Sequence, residues 1–494
     1  MSKIFIPLLA FSLLCHFAAC SLDPLGGNKA ADKKRAQRDS TTHAIVAQQI
    51  NQWLASDSTS KKLTPRNADI VQTALKKLYA ANPPTLLWQN PIDQKPNPAA
   101  QTLINALPTA REHALNPQKY HLAALETLYK QTYPSDTAAY DSARIGNMIQ
   151  LDVALSSAAL AYSADLLRGR TKPGGMWDMQ YRQDTLLADA LQKSIADNTI
   201  PDFLARNIPQ YPAYQNLQKL WQQHQNASDK GEKTSISDTQ ADLIRLNMER
   251  FRWLPQPQNL GNRYVWVNIP EFMMQVMDKQ DTINSIVVVV GEPKNATPVV
   301  ANKKMHNVIF SPVWNIPVDI AYEEMEYILK NPAVLIVADV DVWVSGKKVD
   351  PRDVDWASVN KRTVKMRQRP KATNSMGRVK FPFDNNYGVY IHDTPNQHDF
   401  GLKKRATSHG CVRVKEPAAL AANLLSGSKW TSDGMKKAMY SGKQQYANLP
   451  ENVSVNFYYF TAWADAKGNL RTGTDVYGYD RRQLKALKDA IAGQ

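Results

Sequence analysis

Two kinds of hydrophobic pattern divide the chain. From Thr42 to about Gln225, the segments HAIVAQQINQWLA, NADIVQTALKKLYAA, PAAQTLINAL and ARIGNMIQLDVALSSAALAYSADLLRG repeat apolar residues three and four apart, the spacing of one helix face. Pro and Asn clusters punctuate them. This predicts a helical domain over 42–225. It has no fixed-period repeat and no catalytic motif, so it reads as a scaffold or partner-binding unit. QHQNASDKGEKTSIS has no strong apolar anchors and predicts a linker, 226–238. TQADLIRLNMERFRWLP then predicts a connecting amphipathic helix within 239–258, capped at Thr239 and stopped by Pro255.

Beyond that helix the texture changes. NRYVWVNIP, DTINSIVVVVGEP, HNVIFSP, LIVADVDVWVSGKKV, NYGVYIHD and VSVNFYYFTAWAD are short β-branched and aromatic runs separated by Gly, Pro, Asn and Asp. SIVVVVG is apolar throughout, which suits a strand covered on both faces. A few helices, IAYEEMEYILK and EPAALAANLLSG among them, lie between the strands. The expected fold class is α+β: the helical domain, then a mostly β domain over 259–480 built as a curled or sandwich-like sheet, then a helix or tail over 481–494.

The first twenty residues, MSKIFIPLLAFSLLCHFAAC, place one lysine before a short apolar run and small residues, the form of a secretory signal. The run is too short to span a bilayer comfortably, and no later segment is long and apolar enough. Phe17 to Cys20 also resembles the site at which bacterial lipoproteins are cut and lipidated, with Phe where Leu is usual. Cys20 then has two readings, signal residue or lipid anchor, the second implying the outer membrane. Residues 21–41 are polar and predict a flexible tether. The expected location is therefore outside the cytoplasm, in the periplasm, with a membrane met only through the signal or a lipid.

Length and composition add bounds. A chain of 494 residues holds two to four folded units, and 43% hydrophobic with 21% charged residues is ordinary for a soluble globular protein. The net charge is +15, with 60 Lys and Arg against 45 Asp and Glu. That favours an acidic partner or simply serves solubility. Nucleic acid does not fit an exported protein; anionic wall polymer or lipid headgroups do.

Of three cysteines, Cys15 and Cys20 lie in the signal, which leaves Cys411 without a disulfide partner in the folded part. A lone cysteine is ordinarily a small buried hydrophobe. Its surroundings read differently here. His392 ends the strand VYIHD, Pro417 marks a helix start soon after the cysteine, and Arg413, Lys415 and the run Lys403 to Arg405 add positive potential. Gly410 leaves room for a carbonyl beside the sulfur, with the amides of Gly410 and Cys411 as candidate oxyanion donors. Ser408, His409, Gly410 and Cys411, nineteen residues after a strand-terminal His392 when counted to the cysteine, form a constellation suited to acyl transfer.

The stretch resembles the L,D-transpeptidase catalytic (YkuD-type) domain, whose pattern is a histidine, a spacer, then Ser/Thr-His-Gly-Cys and an apolar residue. Arg413 fits the form of the large Gram-negative members with a helical scaffold domain and a capping subdomain. TPVVANKKMHNVIFSPVWNIP, NSMGRVKF and YIHDTPN are similar to their flanking regions, and residues 320–372 to their capping insertion. One departure is that 226–238 is too short to hold the peptidoglycan-binding module such members often carry. The resemblance implies attack by Cys411 on the diaminopimelate carbonyl of a tetrapeptide stem, a thioester, and resolution by an acceptor amine to a 3-3 cross-link. It implies His392 as general base, His409 as a loop-shaping residue whose carbonyl, or that of Gly410, orients His392, carbapenem sensitivity, and no cofactor or metal. Peptidoglycan stem peptides are the implied partners, with other cell-wall enzymes beside them.

Tyr390, two residues before His392 on the same strand face, is a candidate substrate contact, with packing as the alternative. Arg413 could clamp a stem carboxylate or serve a structural ion pair. Asn374, Gly377 and Trp314 are expected in the walls of the site. Water as acceptor would make the protein an L,D-carboxypeptidase, and a lipoprotein as partner would make it an attaching or detaching enzyme. A metal site from His392, His398, His409 and Cys411 has spacings of six, eleven and two, which match no common zinc framework.

Overall fold

The computed structural model describes residues 27–56, 64–134, 140–179, 186–279, 281–317, 320–321, 325–465 and 467–492. The signal of residues 1–20, with Cys20, lies outside them, as does the start of the expected tether. From Gly27 onward that tether is helical, in Gly27–Ser56. The segment lacks apolar residues for a core, but it is rich in Ala, Lys, Arg and Gln, which are strong helix formers. Helix Pro212–Asp229 likewise runs into the expected linker, shortening it to about 230–236. The connecting helix is Asp238–Arg252, and its cap is Ser237 rather than Thr239. Ser237 Oγ accepts from the Gln240 amide while Gln240 Oε1 accepts from the Ser237 amide.

The N-terminal domain packs its helices around Arg144–Arg168, a helix buried along nearly its whole length. That helix carries the acidic residue Asp152 fully inside. Its carboxylate accepts from Tyr79 Oη at 2.7 Å and from the amides of Leu87 and Trp88 at 3.0 and 2.8 Å, so the charge sits among donors. Where the helix ends, Gly169 at φ +71° leaves room for Glu249 of the connecting helix. A Cβ on Gly169 would meet the Glu249 carboxylate at 2.5 Å. Glu249 is fully buried and accepts from the amides of Arg170 and Thr171 and from Arg252. A buried pair like this costs desolvation and is held by the hydrogen bonds around it. It ties the helical domain to the connecting helix, and Arg250 of that helix grips Asp480 and Gln483 of the terminal helix Tyr479–Ala492.

The large sheet curls until its ends meet. Its order is Val379–Phe381, Ile391–His392, Val412–Val414, Asp281–Gly291, Met273–Asp278, Arg263–Asn268, Gln445–Tyr458, Val299–Phe310 and the short Trp177–Asp178, with Ala406–Ser408 also paired to Asp281–Gly291, and Val299–Phe310 pairs back with Val379–Phe381. SIVVVVG contributes Val288, Val289 and Val290, all fully buried, as its unbroken apolar run predicts. One core fills this closed sheet and extends to the connecting helix.

A second, smaller sheet leaves the large one after Phe310 and returns at Val379, two residues that pair with each other. Its order is Lys347–Val349, Val340–Val344, Val364–Gln368, Trp314–Ile316. Ile328, Leu335, Val340, Val342, Trp356, Val364 and Met366 give it a core of its own. A separately packed unit thus overlaps residues 320–372 and begins a few residues earlier, at Trp314. Among the described residues, no helix is long and apolar enough to cross a membrane.

Candidate active site

Three short strands at one part of the closed sheet bring the sequence-selected residues together. Ile391–His392 runs parallel to Val412–Val414, with His392 opposite Arg413, and antiparallel to Val379–Phe381, with His392 opposite Lys380. Paired residues share a face, and so do residues two apart. Lys380, Tyr390, His392 and Arg413 therefore lie on one face, and Cys411 enters it at the end of the strand that carries Arg413. The Val412 amide donates to the Tyr390 carbonyl at 2.9 Å, and the Tyr390 backbone favours the thiolate form of Cys411.

His392 is buried, and its Nδ1 lies 2.5 Å from the main-chain carbonyl of Asp393. A carbonyl can only accept, so this contact assigns the proton to Nδ1 and leaves Nε2 with a lone pair. The expectation that His409 or Gly410 would orient His392 through a carbonyl is corrected: the Gly410 carbonyl accepts from Thr297 Oγ1 at 2.8 Å. His409 is exposed. The Asp393 carboxylate, in turn, accepts from the amides of Arg378 and Thr394, both at 2.7 Å. Gly377, at φ +60°, makes this possible; a Cβ there would meet the carboxylate at 2.4 Å.

The loop before Cys411 is held from both sides. Ser408 Oγ donates to the Cys411 carbonyl at 2.5 Å and accepts from the Gly410 amide at 3.2 Å. Thr297 bridges the Gly410 carbonyl and the Gly291 amide, 2.8 Å to each, and Tyr477 braces the same corner through the Thr297 amide and the Gly291 carbonyl. Gly410 sits at φ +107°, a conformation other residues adopt only with strain, although a Cβ there would find ordinary contacts at 3.6 Å. The crowding falls instead on Gly291, whose Cβ would meet Asn295 O at 2.1 Å and Gly410 Cα at 2.9 Å. Because the Gly410 amide is engaged with Ser408, the expected pair of oxyanion amides is not presented in this state.

Electrostatically, burial outweighs charge at both reacting groups. It pushes the Cys411 thiol up to about 11, against the lowering effects of the Tyr390 backbone, Lys380 and Arg413. It pulls His392 down to about 3, against the Asp393 carbonyl; Arg413 and Lys380 depress it further. The sequence points to a cation-activated thiolate, but the resting pair is a neutral thiol and a neutral imidazole. The helix Pro417–Leu424 begins only after the intervening strand.

The remaining expectations divide. Tyr390 is half-buried, and Lys380 Nζ stands 3.5 Å from the centre of its ring, a cation–π contact. Arg413 forms a 2.9 Å ion pair with the buried Asp399, which also accepts from Thr407. Asn374 is corrected from a substrate-binding wall of the site: it is fully buried, donates to the carbonyls of Pro312, Gln368 and Arg369, and accepts from the Met376 amide, so it locks the exit of the insertion. Trp314 belongs to the smaller sheet, opposite Gln368. Lys380, Asp393, Asp399, Thr297 and Gly291 were not selected from sequence as site residues. Lys380 and Thr297 stand in the flanking segments NSMGRVKF and TPVV, and Asp393 directly follows His392, so position beside the motif was the available signal. Among the described residues, no cluster of three or more His, Cys, Asp or Glu is arranged around a metal position.

Comparison with known proteins places this geometry. Residues 262–432 match the L,D-transpeptidase catalytic domain (YkuD), and residues 73–220 match the family described as Scaffold domain. Over 252 residues the chain is 33% identical to a Haemophilus influenzae protein named "Putative L,D-transpeptidase"; the match spans half of this chain and half of that protein.

Proposed function

We propose that this chain, which carries an L,D-transpeptidase catalytic domain behind a scaffold domain, acts through Cys411 as an exported enzyme on peptidoglycan stem peptides. The observation that carries the reading is the contact between His392 Nδ1 and the Asp393 carbonyl, which leaves Nε2 available on the face that Cys411 enters. In the first step the Cys411 proton moves to Nε2 as the sulfur bonds to the diaminopimelate carbonyl carbon. The C–N bond to D-alanine then breaks, and the departing amine takes the proton from His392. An acceptor amine next attacks the thioester and gives its proton to Nε2; the C–S bond breaks, and His392 passes that proton to the departing sulfur, leaving a 3-3 cross-link and the neutral thiol and imidazole restored.

A neutral resting pair suits this order. The thiol does not persist as a thiolate between turnovers, and the imidazole is unprotonated and ready at neutral pH. Lys380 and Arg413 favour the charge that appears on sulfur as its proton leaves. Water in place of the amine would give an L,D-carboxypeptidase, and an acceptor or donor lipoprotein would make this an enzyme of protein attachment or release. Incubation with disaccharide tetrapeptides, followed by mass spectrometry, tests the reading. Dimers with loss of D-alanine support transpeptidation, tripeptides alone support hydrolysis, and unchanged turnover in Cys411→Ala rejects both.

A further inference from the structure

The smaller sheet has one covered and one bare face, and the bare face is cationic. Along Val364–Gln368, Val364 and Met366 point into the insertion's core while Lys365 and Arg367 point out. Cross-strand register puts Trp343 beside Lys365 and Lys348, and Asp341 beside Arg367, all on that outer face. Arg369 and Lys371 continue it past the strand end. Lys348, Lys365, Arg367, Arg369 and Lys371 are exposed. Among the described residues, two carboxylates answer them: Asp341 pairs with Lys348 at 2.8 Å and stands 3.9 Å from both Arg367 and Arg369, and Asp339 pairs with Arg369 at 3.4 Å and with Lys371. Five cations thus face two carboxylates among the described residues, and positive charge is in excess on this face.

The arrangement is also ordered. The Arg367 guanidinium lies 5.0 Å from the ring centre of Trp343, so the fork is propped on an aromatic face. A planar, pre-oriented guanidinium fits a carboxylate better than a mobile ammonium does. The location matters too. The insertion is rooted where Phe310 pairs with Val379, and the next residue, Lys380, faces His392 across the ladder. The small sheet is thus attached to the chain directly beside the candidate active site.

We infer that the outer face of the small sheet is a docking surface for a second stretch of the carboxylate-bearing wall polymer, apart from the stem being processed. The inference rests on the peptidoglycan reading above. A repeating polymer of peptide carboxylates matches both the excess charge and the guanidinium geometry. A membrane surface fits less well. Val337, at 82% the most exposed large apolar residue among the described residues of the insertion, is two positions from the core residue Leu335 on the same short helix. Two positions turn a helix by about 200°, so Val337 points away from the sheet, opposite the cations.

The test is co-sedimentation of the full chain with purified insoluble peptidoglycan, and separately with vesicles containing phosphatidylglycerol, for wild type, K365E/R367E, K365A/R367A and R367K. The account expects the wild type to pellet with peptidoglycan and to be released as salt is raised, since exposed charges are screened beyond about 10 Å at 0.1 M salt. K365E/R367E should bind at least about tenfold more weakly, a loss of about 1.4 kcal/mol. K365A/R367A should fall between it and the wild type, and R367K should lose part of the affinity although its charge is kept. Turnover of a soluble disaccharide tetrapeptide should be the same in all four. Equal peptidoglycan binding by wild type and both double variants overturns the inference, as does wild-type binding to vesicles alone. If soluble fragments are not turned over at all while the binding differences stand, the catalytic reading fails and the docking surface survives.

Discussion

The main-chain carbonyl of Asp393 accepts a hydrogen bond from Nδ1 of His392, and the Asp393 side chain is itself fixed by the amides of Arg378 and Thr394. One residue thus sets the tautomer of the imidazole and is itself held by two main-chain amides. The space for its carboxylate comes from the missing Cβ of Gly377.

Replacing Gly377 by alanine is expected to reach His392 without touching it. The φ of +60° alone costs a non-glycine residue roughly 1 kcal/mol, and the new methyl must displace the Asp393 carboxylate. Steady-state assays on tetrapeptide fragments should show kcat/KM lower by about tenfold or more, with KM little changed. Gly410→Ala, which meets open contacts, should lose activity through backbone strain alone. Wild-type kinetics in Gly377→Ala would show that Asp393 does not position the base.

Alkylation of Cys411 by iodoacetamide reports the thiol directly. Because burial holds the group near 11, the rate should climb steadily with pH and show no plateau near the ordinary value of about 8.5. Lys380→Met removes a cation that lowers the thiol pKa, so the inflection should move higher and the rate at pH 8 should fall. A rate that levels off below pH 8, or one indifferent to Lys380, contradicts this electrostatic picture.

Thr297→Val should unbrace the nucleophile loop. It deletes the hydroxyl that donates to Gly410 and accepts from Gly291, leaving two buried main-chain groups unpaired. The expected loss of stability is about 1–3 kcal/mol, read as a lower midpoint of thermal unfolding, together with slower acylation. Thr297→Ser keeps both bonds and should restore both properties.

What the sequence made legible follows from how local each feature is. The motif around Cys411, the strand ending in His392 and the helical or β texture of the two halves all depend on spacing along the chain, and the structure assembles them as the spacing implies. The neighbours that hold them are non-local. Lys380 reaches the site only through register opposite His392, and Thr297 lies 113 residues before the glycine it holds. Asn374 looked like a wall of the substrate site because polar residues near a motif invite that reading, yet its amide is spent on three carbonyls inside the protein. The thiol's net shift was equally hidden: cations are visible in a sequence, whereas the enclosure that outweighs them is not.

Acid should loosen the fold through its buried histidines. His392 and His113 each drop to about 3 in the folded state from an ordinary 6.5, burial being the first cause in both. At these two groups the unfolded chain binds protons that the folded chain refuses between those values, so their contribution to stability falls as pH drops below about 6.5 until it levels near 3; buried Asp152, raised to about 6, works in the opposite direction. Each group contributes a slope of about 1.4 kcal/mol per pH unit. Calorimetric midpoints across this range should fall less steeply for His392→Gln than for the wild type; parallel curves would mean that His392 is not buried neutral.

The central claim, that Cys411 is the nucleophile and His392 its base, is tested most directly by following the acyl adduct on the intact protein by mass spectrometry after mixing with a disaccharide tetrapeptide. The expected result is an adduct on Cys411 that forms at the wild-type rate in His409→Ala, at least about a hundredfold more slowly in His392→Ala, and never in Cys411→Ala. An unchanged rate in His392→Ala with loss in His409→Ala, or an adduct that survives Cys411→Ala, would contradict it.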